Sequence, residues 1–244
     1  VLVYRQREGD KPPQRKEMKI MKKVIAIDGP SASGKSTLAR NLSEKLHIPY
    51  INTGSMFRAT ALAAKERNIS WEDENALAGM LRNMVMEYRT NADGVFELCC
   101  DGVFPGEKLR SSEIASGASK VGTHPAVRTE LKRLQQEMKK LGWLVMEGRD
   151  IGTVGLPKAD VKIFLTATPE VRAKRRTDEL LAKGQKANFD QILKEIQQRD
   201  YQDTHRDIAP LKMARDSVKV DTSDMTIDQV VQTIRNIVLE KTGR

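Results

Sequence analysis

One segment constrains the fold of this chain more than any other. The apolar, β-branched run V-I-A-I begins at Val24 and ends before Asp28, which is typical of a buried strand. The octapeptide that follows, at 29–36, has the pattern G-x-x-x-x-G-K-[ST]. Apolar residues then recur at helical spacing, at positions 38, 39, 42 and 46. The sequence therefore predicts a strand, a glycine loop and a helix in direct succession.

The octapeptide G-P-S-A-S-G-K-S predicts a phosphate-binding loop. Its glycines let backbone N–H groups turn inward around phosphate oxygens, and the next helix directs the positive end of its dipole at them. Lys35 is expected to neutralise the β and γ phosphates of ATP, and the Ser36 hydroxyl to lie on or near Mg²⁺. A chance match is expected in roughly one chain in a hundred of this length. The predicted ATP-binding residues here are Gly29, Pro30, Ser31, Ala32, Ser33, Gly34, Lys35, Ser36 and Thr37.

The rest of the chain alternates between strand and helix patterns. Alternation of this kind implies a parallel sheet with helices on both faces. Turn sequences N-A-D-G and D-G divide one stretch into a β-meander, which we interpret as an insertion. The predicted elements are a strand at 49–53, a helix at 55–67, the meander at 82–111, two helices within 112–141 that part near His124-Pro125, strands at 143–147 and 161–167, two long polar helices after Pro169, a strand near 217–220 and a helix at about 226–241.

Composition and charge limit the classes of protein. A length of 244 residues suits one α/β domain with an insertion, or two small domains. The two cysteines are adjacent, which fits neither a disulfide framework nor paired zinc ligands, so a reducing cytoplasm is expected. No apolar run reaches the roughly 18 residues that cross a bilayer. We therefore expect neither a membrane association nor export.

The net charge of +9 is concentrated at the start of the chain. Residues 1–23 hold eight Lys/Arg against three acids, so the remaining residues carry only a small excess. We interpret this segment as a solvated basic extension, with an arm for nucleic acid or membrane as the alternative. No stable nucleic-acid partner is expected.

Two classes of phosphate-binding-loop protein compete: kinases of small acceptors, and nucleotide-driven switches or motors. The chain lacks the N-K-x-D motif of guanine switches and is short for a motor, which favours a kinase. E-G-R-D at 147–150 ends a predicted strand, where ligands of open α/β sheets bind. Two sets of charged residues fall on predicted helices: Arg172, Arg175 and Arg176 cluster on one helix, and Arg199, Asp203 and Arg206 share one face of another. Spacing alone favours a solvated helix face for the first set and surface ion pairs for the second.

Seven short motifs follow one another along the chain. They are G-P-S-A-S-G-K-S-T, T-G-S-M-F-R at 53–58, L-R-S-S-E-I at 109–114, E-G-R-D-I-G-T at 147–153, V-K-I-F-L-T-A at 161–167, R-A-K-R-R at 172–176 and R-D-Y-Q-D-T-H-R at 199–206. Together, and in this order, they resemble the motifs of bacterial cytidylate kinases. One such motif would be weak evidence, whereas seven in register are very specific.

This resemblance implies transfer of the γ-phosphoryl group of ATP to CMP or dCMP with Mg²⁺. It also implies a kinase domain at 24–244, with an acceptor-binding arm at about 53–122 that includes the insertion, and a mobile lid at about 170–210. A monomer is the family expectation. The alternatives are a kinase acting on UMP, AMP or a non-nucleotide alcohol, and a nucleic-acid-binding ATPase.

The resemblance also assigns roles to residues by matching position. Thr53, Ser119, Arg128, Arg149, Asp150 and Asp203 are expected to contact the cytidine or its sugar. Arg58, Arg149 and Arg206 are expected to hold the acceptor phosphate. Arg172, Arg175, Arg176 and Arg199 are expected to reach the phosphates when the lid closes, Arg175 as an ATP-binding residue. The predicted catalytic residues are Lys35, Arg58, Asp150, Arg172, Arg176, Arg199 and Arg206.

Three positions depart from the family pattern. Phe57 stands where a tyrosine is frequent, Asn52 replaces a common aspartate, and Gly155 replaces a β-branched residue. None of these changes removes a charge that phosphoryl transfer needs.

Overall fold

A computed structural model describes residues 23–243, which form seven strands and eight α-helices. The predicted basic extension lies almost wholly outside the described residues. The strands are β1 Val24–Asp28, β2 Tyr50–Asn52, β3 Met86–Thr90, β4 Phe96–Cys100, β5 Leu144–Gly148, β6 Val161–Thr166 and β7 Val218–Asp221. The helices are α1 Lys35–Leu46, α2 Thr53–Glu66, α3 Glu74–Asn83, α4 Ser112–Val121, α5 Pro125–Glu137, α6 Pro169–Ala182, α7 Phe189–His205 and α8 Ile227–Thr242.

Five of the strands form one parallel sheet in the order β2-β5-β1-β6-β7. Side chains of β1 alternate between its faces, as the pleat of a strand requires. Val24 and Ala26 join the core cluster that packs against α2 to α5. Ile25 and Ile27 join the opposite cluster, formed with α1 and α8. The predicted α/β fold, with helices on both faces of a parallel sheet, is confirmed.

The predicted meander is wrong in one respect, because the insertion is a two-stranded antiparallel hairpin, β3-β4. The stretch after β4, which the meander would need as its third strand, contributes only an isolated bridge between Val103 and Cys100. Pro105 follows closely and lacks an N–H group, and a 3₁₀ turn at Gly106–Arg110 then ends any extension of a strand. The helix α3 was not among the predicted elements, although Asp73 caps it and its apolar residues have helical spacing.

The two polar helices predicted after Pro169 are α6 and α7. They share a small apolar cluster of Ala173, Ile192 and Ile196, which is separate from the two clusters of the sheet. Most of their remaining surface is polar. In the described part of the chain, no helix is both long enough and apolar enough to span a membrane.

Candidate active site

The glycine loop between β1 and α1 has the backbone geometry that its sequence predicts. A Cβ atom on Gly29 would lie 2.1 Å from the carbonyl oxygen of Leu165, so the close approach of β6 requires glycine. Gly34 has a φ of 86° and Ala32 a φ of 56°, both in the left-handed region. These conformations reverse the chain tightly and direct it into the start of α1, where backbone N–H groups are free to bind an anion.

Lys35 is the first residue of α1 and is only 4% exposed. Its Nζ donates to the carbonyl oxygen of Pro30 at 2.5 Å and to Oγ of Ser33 at 3.3 Å. Burial, together with the positive charge of Arg149, lowers the pKa of Lys35 to about 7. The ammonium group is therefore held inside the loop in a setting that an anionic phosphate would stabilise.

Glu147, near the end of β5, joins the loop to the start of α2. Its Oε1 accepts hydrogen bonds from Oγ of Ser36 at 2.8 Å and from the Tyr50 hydroxyl at 3.1 Å. Its carbonyl oxygen accepts from Oγ1 of Thr53 at 2.8 Å. The side chain is buried because β5 lies next to β1, with Glu147 in register with Ile27. Glu147 belongs to the E-G-R-D stretch that the sequence indicated as a place for ligands, but it was not among the predicted site residues.

Asp28, the last residue of β1, is a second buried acid that sequence reasoning missed. Its two carboxylate oxygens accept from the backbone N–H groups of Ile151 at 2.8 Å and Gly152 at 2.7 Å. These donors belong to a single π-helical turn, Ile151–Gly155. Burial raises the pKa of Asp28 to about 6 against the opposing effect of these hydrogen bonds.

The oxygen groups beside the loop suit magnesium. Mg²⁺ prefers oxygen ligands and binds in phosphate-transfer sites through one or two carboxylates or hydroxyls together with the phosphates themselves. Ser36 supplies a hydroxyl and Glu147 a carboxylate within hydrogen-bonding distance of each other. Among residues 23–243 there is no group of three or more His, Cys, Asp or Glu that could form an all-protein metal cage.

Two acids organise the arginines that the motif comparison assigned to the acceptor nucleotide. Asp203, on α7, accepts from Nε of Arg149 at 2.9 Å. Asp150, after β5, accepts from the Arg128 guanidinium of α5 at 2.6 Å. Arg206 lies between them, 3.7 Å from Asp150 Oδ1 and 3.8 Å from Asp203 Oδ1. The structure thus brings these five predicted residues together from three separate parts of the chain.

Arg58 and Arg199 lie beside this network. Burial lowers the pKa of both guanidinium groups, and the charge of Arg149 lowers it further, whereas Glu147 raises the pKa of Arg58 and Asp203 raises that of Arg199. The only hydrogen bond of Arg58 to a described residue is long, 3.4 Å to the carbonyl oxygen of Leu109. Neither residue forms a salt bridge within residues 23–243. Two partly buried cations without carboxylate partners are well suited to an anionic ligand.

The three arginines of α6 point into different surroundings. Arg172 is buried, and it donates to the carbonyl oxygens of Ala167 and Ser31 and to the Asp200 carboxylate. Arg175 donates to Oγ1 of Thr222 at 3.0 Å, beyond the end of β7. Arg176 is exposed and pairs with Glu179 at 2.8 Å. The structure therefore does not gather these three residues into one cluster.

The other two residues assigned to the acceptor make local contacts. Thr53 is buried at the start of α2, where its hydroxyl bonds to Glu147 as described above. Ser119 lies on α4, and its Oγ donates to the carbonyl oxygen of Ala115 at 3.2 Å. Phe57, which replaces the frequent tyrosine, lies 5.4 Å below the Arg128 guanidinium, a distance typical of a cation–π contact.

A parallel sheet with a phosphate-binding loop at its centre, flanked by arginines that converge from three segments, defines a P-loop kinase. Residues 25–240 match the family described as Cytidylate kinase. The chain therefore belongs to the cytidylate kinase family.

Individual relatives agree with this family assignment. A cytidylate kinase of Ligilactobacillus salivarius is 44% identical over 91% of this chain and 99% of its own length. A cytidylate kinase of Geobacillus sp. is 42% identical over 90% of this chain and 97% of its own length. A solved structure of an uncharacterized protein from Eubacterium ventriosum covers 88% of this chain and 98% of its own, with a TM-score of 0.51 at 11% identity, and shows a similar fold only.

Proposed function

We propose that the protein transfers the γ-phosphoryl group of ATP to CMP or dCMP, giving ADP and CDP or dCDP. The observation that carries this proposal is the network of Arg128, Arg149, Asp150, Asp203 and Arg206 beside the phosphate-binding loop. Such a network offers both charged groups for a phosphate and carboxylates that accept hydrogen bonds from an amino group or a sugar hydroxyl. Membership of the cytidylate kinase family supports the pyrimidine acceptor.

Positioning and charge neutralisation account for the chemistry that the site must perform. The acceptor phosphate is already an anionic nucleophile, so in-line transfer needs no general base. Arg58 and Arg206 hold this phosphate, and Lys35 stabilises the negative charge on the transferred group. Arg199 adds a further cation when α6 and α7 close and exclude water, a competing acceptor. The lid that closes is the segment at about 170–210.

Mg²⁺ fits the oxygen groups beside the loop, where Ser36 and Glu147 would hold it. Bound there, it would neutralise charge on the phosphates of ATP. The direct hydrogen bond between the two side chains orients the Ser36 hydroxyl with its proton towards Glu147 and its lone pairs away from it. A monomeric state and a cytoplasmic location stay predictions.

A coupled assay of ADP release tests the acceptor. CMP, dCMP, UMP, AMP and a simple alcohol are compared at equal concentration with ATP and Mg²⁺, and Lys35→Met serves as the inactive control. CMP or dCMP is expected to give the highest kcat/KM. A higher kcat/KM for UMP, AMP or the alcohol would overturn the proposal in favour of another small-molecule kinase.

A further inference from the structure

The inserted hairpin β3-β4 makes an unusual contact with the edge of the parallel sheet. An edge strand presents backbone N–H and C=O groups that no neighbouring strand pairs. β2 is such a strand, and Asn52 is its last residue. The hydroxyl of Tyr88, from β3, accepts from the N–H of Asn52 at 3.1 Å and donates to its C=O at 2.8 Å. One side chain thus satisfies both backbone groups of Asn52.

Tyr88 is itself firmly held. The residue is 8% exposed and belongs to the core cluster that α2 helps to form. Its ring lies 5.9 Å from that of Phe96 on the paired strand β4. Burial raises the pKa of the Tyr88 phenol, so the hydroxyl keeps its proton and remains a donor at any physiological pH. The contact with Asn52 is therefore a fixed attachment and not a surface contact of a mobile side chain.

Asn52 immediately precedes the residues of α2 that are assigned to the acceptor nucleotide. Its Oδ1 accepts from the N–H of Ser55 at 3.1 Å and caps α2, the helix that carries Arg58. The next residue, Thr53, bonds to Glu147 through its hydroxyl. A small shift of Asn52 would therefore move both the start of α2 and the Thr53 side chain.

We propose that Tyr88 is a positioning residue for the acceptor nucleotide. Its hydroxyl fixes the backbone of Asn52, and through Asn52 it sets the places of Thr53 and Arg58. The inserted hairpin thereby acts as a brace for the acceptor half of the site, whereas the ATP half depends on the glycine loop. This inference rests on the proposed function, because it assigns Thr53 and Arg58 to the acceptor.

The substitution Tyr88→Phe tests the brace, because it removes the hydroxyl and keeps the ring in the core. The KM for CMP is expected to rise about 10-fold, since small misplacements of binding groups have large effects on productive binding. The KM for ATP and the kcat at saturating CMP are expected to stay within about twofold of the wild type. Amide hydrogen exchange of residues 50–58 is expected to quicken in the unliganded variant.

Thr60→Val is the matched control. Thr60 is fully buried on α2, and its hydroxyl donates to the carbonyl oxygen of Met56 at 2.9 Å, with no link to Asn52. This variant removes one buried hydroxyl from the same helix, and its KM for CMP is expected to match that of the wild type. An equal rise in both variants would overturn the proposal, because it would reflect general loosening of the arm. An unchanged KM for CMP in Tyr88→Phe would overturn it as well.

Amide exchange in the wild type gives a readout that needs neither a variant nor the reaction. The Asn52 amide is expected to be protected although it lies on an edge strand, and fast exchange there would contradict the bond to Tyr88. Failure of the proposed function would show differently, as the absence of transfer to CMP by the wild type with this protection intact.

Discussion

Lys35 is expected to be needed for turnover and to lower the stability of the free protein. The substitution Lys35→Met tests both effects, because turnover and the free energy of unfolding are expected to change in opposite directions at pH 7. The folded protein lowers the pKa of this ammonium group from 10.5 to about 7, chiefly through burial. The unfolded chain binds the proton more tightly, so the charge of Lys35 lowers the free energy of unfolding. This unfavourable contribution is largest below pH 7 and disappears as the pH rises through 10.5. At pH 7 the unfavourable contribution is about 4 kcal/mol.

The substitution has an opposing effect on hydrogen bonding. Methionine cannot donate to the carbonyl oxygen of Pro30 or to Ser33 Oγ, and the lost bonds lower stability by about 2 kcal/mol together. At pH 7 the variant is therefore expected to exceed the wild type in free energy of unfolding by about 2 kcal/mol. By pH 10 the lysine opposes folding by less than about 1 kcal/mol, so the variant is expected to be the less stable protein.

Urea unfolding of both proteins at pH 7 and pH 10 measures this crossover, and ADP release with CMP measures turnover. Turnover is expected to fall by about 10²-fold or more, although the fold is intact. Lys162→Met is the matched control, since Lys162 is buried but paired with Asp216 at 2.8 Å, and its loss is expected to destabilise at both pH values. A Lys35→Met protein less stable than the wild type at pH 7 would refute the electrostatic reasoning, and near-normal turnover would refute the kinase assignment.

Three other outcomes follow from the same contacts. Arg206→Ala is expected to lower turnover of CMP by about 10²-fold while calorimetry shows unchanged ATP binding, and unaltered steady-state kinetics would leave Arg206 as an ion-pair partner only. Arg172→Lys keeps the charge but loses the fork that spans Ser31 and Asp200, so urea unfolding should show lower stability at a nearly unchanged KM for ATP. A large fall in kcat at unchanged stability would instead support direct contact with phosphate. ATP binding at pH 8 should take up most of one proton, because phosphates raise the pKa of Lys35 from about 7. Calorimetry in buffers of different ionisation enthalpy measures this uptake, which should be clearly smaller in Lys35→Met.

Local patterns were sufficient to predict the sheet and most helices, because buried parallel strands are continuous apolar runs. They failed where a longer-range contact or a nearby residue decided the outcome. The stretch at Val103 has strand composition, yet Pro105 and the turn after it leave only one bridge to Cys100. The helix α3 was not predicted, although its signal is local: Leu77, Ala78 and Leu81 have helical spacing after the Asp73 cap.

The glycine loop could be recognised because all its groups are consecutive in the chain. Glu147 and Asp28 could not be assigned in this way, since their places in the site depend on which strands are neighbours. Glu147 reaches Ser36 only because β5 lies beside β1, and Asp28 binds the π-helical turn only because that turn folds back over the end of β1. Strand order in a parallel sheet is a property of the whole chain, so no local pattern contains it.

Arginine spacing was the weakest guide, and the structure shows the physical reason. Arg172, Arg175 and Arg176 lie within two turns of one helix, yet their partners are Asp200, Thr222 and Glu179, because α6 has different neighbours on each side. A sequence pattern also does not report which arginines lack a carboxylate partner in the folded protein. Arg58 and Arg199 form no salt bridge within residues 23–243, and burial lowers the pKa of each guanidinium group. Partly buried cations of this kind oppose folding until an anion binds beside them, so they mark a place suited to the phosphates.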